Sequence, residues 1–200
     1  MFQLFAKGGP IMWPLFVTSV ISLSVVFERI LFLFVEATRR DTALVNEVFE
    51  AIEHGEIEQA AVKAGKSRDF VARTLGYGLQ NRGRSLSGAL LQAAGRELKR
   101  FNRGLSVLDT VITLAPLLGL LGTVTGMIRS FGLLGNRELE APTVITGGIA
   151  EALLATAFGL GIAIVALIPF NYLNARMEEA RHELEDAATH LELALKDRTG

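Results

Sequence analysis

The sequence predicts an all-α protein with three transmembrane helices and long helices that extend from them into the cytoplasm. Three observations carry that prediction. Half of the 200 residues are apolar, and they lie in three long runs instead of recurring at helical intervals along one soluble chain. The longest run, Thr143–Tyr172, holds Glu151 as its only formal charge. As a helix of about thirty residues rising ~1.5 Å each, it is long enough to cross a hydrocarbon core of roughly 30 Å. Between the first two runs stands a charged, glycine-punctuated segment with repeated helix-start and helix-stop signals. The net charge of −1 says nothing about nucleic acid, and no basic tract with interleaved aromatics argues for it as a partner. With no cysteine, there is no disulfide framework, thiol nucleophile or thiolate metal site.

Taken in order, residues 1–11 form an external N-terminal segment, MFQLFAKGGPI, with Lys7 as its one charge and a Gly8-Gly9-Pro10 break. It reads equally as a short interfacial helix and as a frayed end. Residues 12–35 are the first span. A cleaved signal peptide is disfavoured, because the basic leader is weak, the run is too long and no small-x-small site follows. Glu28 and Arg29 interrupt the run and mark its far interface, where an arginine can snorkel to water.

Residues 36–105 are a helical module of a different material, rich in arginine and lysine. Asp41 is placed as an N-cap with Gly55 after the last turn, Glu56–Ala64 forms a second short helix, and Ser67 or Asp69 opens a third. The stretch from Ser87 to Phe101 is expected to run straight into the next apolar run as one long helix. Residues 106–134 make the second span, with Pro116 inside it and Gly119, Gly122 and Gly126 available as bare backbone. Gly122 and Gly126 form a GxxxG spacing, a weak signal for close helix packing when met alone. The hydroxyls of Thr123 and Thr125 have two readings, a bond to a carbonyl of the preceding turn or a place on a polar path.

Residues 135–142 form a short loop with one basic residue, against twelve in residues 36–105. Positive charge stays on the cytoplasmic side, so the large module is expected in the cytoplasm, the loop and N-terminus outside, and the C-terminus inside. Residues 143–173 are the third span. Its many small residues, Gly148, Ala155 and Gly159 among them, suit a helix surrounded by protein, because lipid gives no reward for shedding bulk. Residues 174–200 continue as a cytoplasmic helix. Met177, Leu184, Ala188, Leu191 and Leu195 form its apolar stripe, which fits packing on the 36–105 helices and a seam between subunits alike.

Few motifs support bond chemistry, so an enzyme is not expected. Ala64-Gly65-Lys66-Ser67 resembles the end of a phosphate-binding loop, but the leading glycine would fall at Ala60 and no strand precedes it. His182 and His190 are too far apart for a helical metal pair, and no metal site or cofactor is expected. No serine sits in G-x-S-x-G and no acidic dyad faces the membrane. What remains is Glu151. An ionised carboxylate at the centre of a spanning helix costs roughly 2.5 to 3.5 kcal/mol on insertion scales, so it must be protonated, paired, or turned to water or protein. It is therefore either a neutral acid bonded across a helix interface, with Thr123 as a candidate partner, or a protonatable group on an ion path.

The strings GLLGTVTGM, from Gly119, and GIAEALLATAFGL, from Gly148, are specific in combination and resemble the second and third spans of the MotA/TolQ/ExbB proton-channel family. The resemblance in topology covers nearly the whole chain, and three spans with the acid at 151 are similar to the ExbB/TolQ branch. It implies a homo-oligomer, pentameric in the family, that surrounds a single-span partner of the ExbD or TolR type and drives TonB or TolA. The conducted ion is the proton. On the matching positions Glu151 is the essential intramembrane acid, Thr123 and Thr156 are polar path residues, and Glu28-Arg29 is the pair that ends the first span.

The expected function is thus a proton-channel subunit of a bacterial inner-membrane complex, ExbB-like and serving TonB-dependent outer-membrane transport, or TolQ-like and serving the Tol-Pal system. A non-conducting membrane scaffold is the rival of another class. One tension stands: Glu151 and Thr156 are about 140° apart around an ideal helix, so both cannot face one axis squarely.

Overall fold

The computed structural model describes residues 8–134 and 141–196, and within them the chain is helical, without a strand. Seven helices follow one another among the described residues: α1 (Met12–Thr38), α2 (Thr42–His54), α3 (Ile57–Gly65), α4 (Phe70–Gln80), α5 (Arg82–Asn102), α6 (Leu105–Leu134) and α7 (Ala141–Lys196). Three stretches, within Met12–Thr38, Arg82–Gly132 and Thr146–Lys196, are long and apolar enough to cross a membrane. The fold is all-α with three candidate spans. Of the segments read as external, residues 1–7 and 135–140 lie outside the described residues.

The expected continuous helix from Ser87 through the second apolar run does not form. Helix α5 ends at Asn102, and the chain turns through Arg103 at φ −59°, ψ 131° and Gly104 at φ +82° before α6 begins. A left-handed residue cannot sit inside a right-handed helix, and glycine occupies that region without a Cβ clash. The site also lacks room, since a Cβ at Gly104 would lie 3.0 Å from Val25 Cγ1. The Gly104 carbonyl then accepts the first bonds of α6, from the Val107 and Leu108 amides.

The chain divides into two compact units, Met1–Arg29 with Gly104–Tyr172, and Ile30–Arg103 with Leu173–Gly200. The second has the larger core. Val48 and Ile52 of α2, Ala60 and Ala64 of α3, Leu75 and Leu79 of α4, Leu90 of α5, and Leu184 and Leu191 of α7 are buried together. Phe101 meets Phe32 and Phe70 edge-on at centroid distances of 5.4 and 5.2 Å. The α7 stripe lies in this core, with Met177, Ala188 and Leu195 packed at its margin. That favours packing within the chain as the stripe's role.

Helix starts in this unit are fixed by side chains. Asp41 accepts from the Leu44 amide, and Gly55 at φ 91° closes α2. Asp69 accepts from the Val71 and Ala72 amides, and so opens α4. Its second oxygen takes the Asp41 amide at 2.8 Å and pairs with Arg40, which also reaches Glu183. Buried Glu36 lies between Arg73 and Arg100, which both also bind Glu97. Inside α5, Ser85 leaves the helical region and its Oγ accepts from the Gly88 amide, so the regular part of that helix starts there.

The first unit is assembled with fewer large side chains. Met12 and Leu15 of α1 and Ala115 of α6 are buried together, with Ile11, Leu118 and Ile162 against them. The close approach of α6 and α7 within this unit defines the site.

Candidate functional site

Helices α6 and α7 touch along a seam from which side chains have been removed. A Cβ added to Gly159 would stand 2.5 Å from the Ala115 carbonyl oxygen, one on Gly119 would stand 3.0 Å from the Ala155 carbonyl oxygen, and one on Gly122 would stand 2.5 Å from the Ala155 Cβ. Further along, Gly126 faces Ala152, and Gly148 faces Ser130 so closely that a Cβ would stand 1.5 Å from its Oγ. As numbers rise on one helix they fall on the other, so the pair is antiparallel. The contact positions recur at steps of three and four, Ala115, Gly119, Gly122, Gly126 and Ser130 against Gly148, Ala152, Ala155 and Gly159, which keeps each set on one helix face. With no bulk between them the backbones approach within van der Waals range, the main attraction open to helices in lipid.

Close approach makes a carbonyl accessible across the seam. The Thr156 hydroxyl donates to the Gly119 carbonyl oxygen at 3.0 Å. Thr123 donates instead within its own helix, to the Leu120 carbonyl at 2.6 Å, and Thr125 does the same to the Leu121 carbonyl at 2.9 Å. Both hydroxyls thus donate to their own backbone, and Thr123 is not the hydrogen-bond partner of Glu151. Each hydroxyl still has lone pairs free to accept.

Glu151 leaves the seam for another neighbourhood. Its side chain is a quarter exposed, at 25 %, and Oε1 lies 3.4 Å from Arg129 Nη1 on α6. On another side the carboxyl rests on the turn before α1. Gly9, at φ +71°, is so close that a Cβ there would stand 1.8 Å from Oε1. The turn is held by the Met12 amide donating to the Gly9 carbonyl and the Trp13 amide to the Pro10 carbonyl. Within this chain the carboxyl therefore meets both an opposite charge and the protein backbone. In keeping with their angular separation, the Thr156 hydroxyl reaches the Gly119 carbonyl across the seam while Glu151 reaches Arg129.

The sequence alone assigns no role to Arg129 or Ser130 and shows Gly9 only as part of the Gly8-Gly9-Pro10 break. A signal for the first was present. Arg129 is the only basic residue in 105–134 and Glu151 the only charge in 143–172. Two lone opposite charges in adjacent apolar runs are candidates for each other. Glu28 and Arg29 pair as neighbours, with Arg29 buried and Glu28 exposed. A cavity of about 350 Å³ lined by Ser19 and Ser22 of α1 and Ala157 and Gly161 of α7 does not include Glu151 in its lining. Among the described residues no group of three histidine, aspartate or glutamate side chains is placed to hold a metal ion.

Residues 55–186 match the MotA/TolQ/ExbB proton channel family. The chain is 34 % identical over 200 residues to the Synechocystis sp. protein called ExbB-like 1, covering 96 % of this chain and 78 % of that one. It is 41 % identical over 90 residues to the Tol-Pal system protein TolQ of Pseudomonas aeruginosa, covering 45 % of this chain and 39 % of TolQ. Against the biopolymer transport protein ExbB of Xanthomonas campestris it is 36 % identical over 108 residues, covering 49 % and 42 %. The matched part is thus less than half of the last two relatives.

Proposed function

Because this chain belongs to the MotA/TolQ/ExbB proton channel family, we propose that it is the proton-channel subunit of an ExbB-like energy-transducing complex, coupling proton-motive force to TonB-dependent outer-membrane transport. The observation that carries the reading is Glu151, the lone charge of its apolar run, placed beside Arg129 and away from the close-packed seam. A carboxyl there can be loaded with a proton and unloaded.

The subunit lies in a bacterial inner membrane with its basic module in the cytoplasm, the N-terminus outside and the C-terminus inside, following the distribution of positive charge. It works as a homo-oligomer, taken as a pentamer, in contact with lipid. The oligomer surrounds the single-span helix of an ExbD- or TolR-type partner and acts on a TonB- or TolA-type protein. Protons are the transported ion and no cofactor takes part. Glu151 takes a proton from the outer side and gives it up when the partner's own carboxylate comes close. Neutralisation removes the charge that resists a helix sliding past in a low-dielectric setting, and so permits a step. Thr123 and Thr156, with acceptor lone pairs free, flank the route.

The test is Glu151→Gln. The variant is expected to assemble with its partner and to lose energised uptake. Retained uptake would remove Glu151 from the mechanism and favour a non-conducting scaffold. The similarity to TolQ favours a second reading, service to the Tol-Pal system. Complementation separates the two: restored TonB-dependent uptake in a strain lacking ExbB supports the first, and restored envelope integrity in a strain lacking TolQ supports the second.

A further inference from the structure

We propose that Arg129 is a positioning residue for Glu151: a tethered counter-ion that holds the empty carboxylate in place and is released each time a proton arrives. The proposal rests on the proton-channel reading above. Its observation is the 3.4 Å contact between Arg129 Nη1 and Glu151 Oε1, made by the only basic residue of one apolar run and the only charge of another. Among the described residues neither side chain forms another ion pair.

An unloaded carboxylate in an apolar helix needs an opposite charge or water. The Gly9 turn occupies one side of Glu151, and the guanidinium supplies the charge on another. When water delivers a proton, an O–H bond forms on the carboxyl and its negative charge disappears. The Coulombic hold on Arg129 goes with it. Within this chain the arginine side chain is half exposed, at 54 %, so no packed side chain of its own subunit holds it against the carboxyl. When Glu151 passes the proton on, the charge returns and the pair closes again. The guanidinium keeps its own protons throughout, because it is effectively never deprotonated in proteins, and so it never becomes a stop on the route. A lysine supplies the same charge at one point on a flexible stem, whereas a glutamine supplies only a neutral donor.

The experiment uses the complex purified through a tag on this chain, reconstituted in vesicles with an internal pH-sensitive dye and a potassium diffusion potential. Proton flux is read per assembled complex, with assembly counted by partner co-purification. Arg129→Gln is expected to lower flux roughly tenfold, within the range of couplings measured for residues in contact. Arg129→Lys is expected to recover most of that loss, and the Arg129→Gln and Glu151→Gln double variant to be no worse than Glu151→Gln alone. Unchanged flux per complex in Arg129→Gln, or equal loss in the Gln and Lys variants, would overturn the counter-ion role while leaving the channel reading intact. A wild-type complex that conducts no better than Glu151→Gln would overturn both.

Discussion

The Thr156 hydroxyl on α7 donates to the Gly119 carbonyl on α6 at 3.0 Å, a side-chain bond to backbone that crosses between two helices. It exists because glycine leaves that carbonyl uncovered. Replacing Thr156 by valine keeps the shape and removes the bond. Interhelical bonds of this kind are worth about 1 kcal/mol. Thr156→Val is expected to lower the thermal midpoint of the detergent-solubilised complex and to reduce proton flux partially, and Thr156→Ser to preserve both. An unchanged midpoint would show that the bond contributes nothing to holding the helices together.

Gly159 and Gly161 are two residues apart on α7 and make a matched pair of probes. A methyl at Gly159 would stand 2.5 Å from the Ala115 carbonyl oxygen, whereas one at Gly161 meets nothing within 4 Å. Backbone cannot swing aside as a flexible side chain can. Gly159→Ala is expected to cost about 1 to 3 kcal/mol by overpacking, and Gly161→Ala to be neutral or slightly stabilising through its better helix propensity. Thermal aggregation of the two variants side by side tests this, and equal behaviour would argue that the seam yields.

Asp69 joins one helix start to another loop. Its carboxylate accepts from the amides of Val71, Ala72 and Asp41 and pairs with Arg40, and the residue is buried. Removing it uncaps α4 and strands three donors, at a cost of about 3 kcal/mol in all. Asp69→Ala is expected to accelerate hydrogen exchange across Phe70–Gln80. Unaltered protection in α4 would mean that neighbouring groups replace the cap.

Glu183 supplies a pH test away from the spans. Burial raises its pKa above the ordinary carboxylate value, with the Arg40 guanidinium pulling the other way. The folded state therefore holds this proton to higher pH than the unfolded state does. The group's stabilising contribution is complete below the unfolded value and is lost as pH rises through the folded one. Glu183→Gln is expected to gain stability relative to wild type as pH goes from about 4 to 7. A difference in melting temperature that stays flat over that interval would remove Glu183 as a source of pH dependence.

The three spans were legible because apolar runs of that length have few other homes, and the helix starts at Asp41 and Asp69 because short acceptor side chains suit amides with no partner of their own. The break at Gly104 was not legible. A lone glycine inside a helical pattern is often tolerated, and what fixes its left-handed conformation includes the wall of Val25 and Arg29 from a distant part of the chain. The Arg129 pairing was missed for a related reason. Each residue was judged within its own run, whereas their meeting depends on the antiparallel register of α6 and α7, which no single helix encodes. For Thr123 the sequence left two readings open, and the structure adds the 2.6 Å bond to the Leu120 carbonyl that any helix offers a threonine, with lone pairs still free to accept.

The glycine and alanine seam also predicts how related sequences vary. A methyl gained on one helix is accommodated where the opposite side chain has bulk to lose, so a change at Gly122 should be matched at Ala155, one at Gly126 at Ala152 and one at Gly148 at Ser130. An alignment of relatives would then show covariation along an anti-diagonal, with low-numbered sites in one helix linked to high-numbered sites in the other.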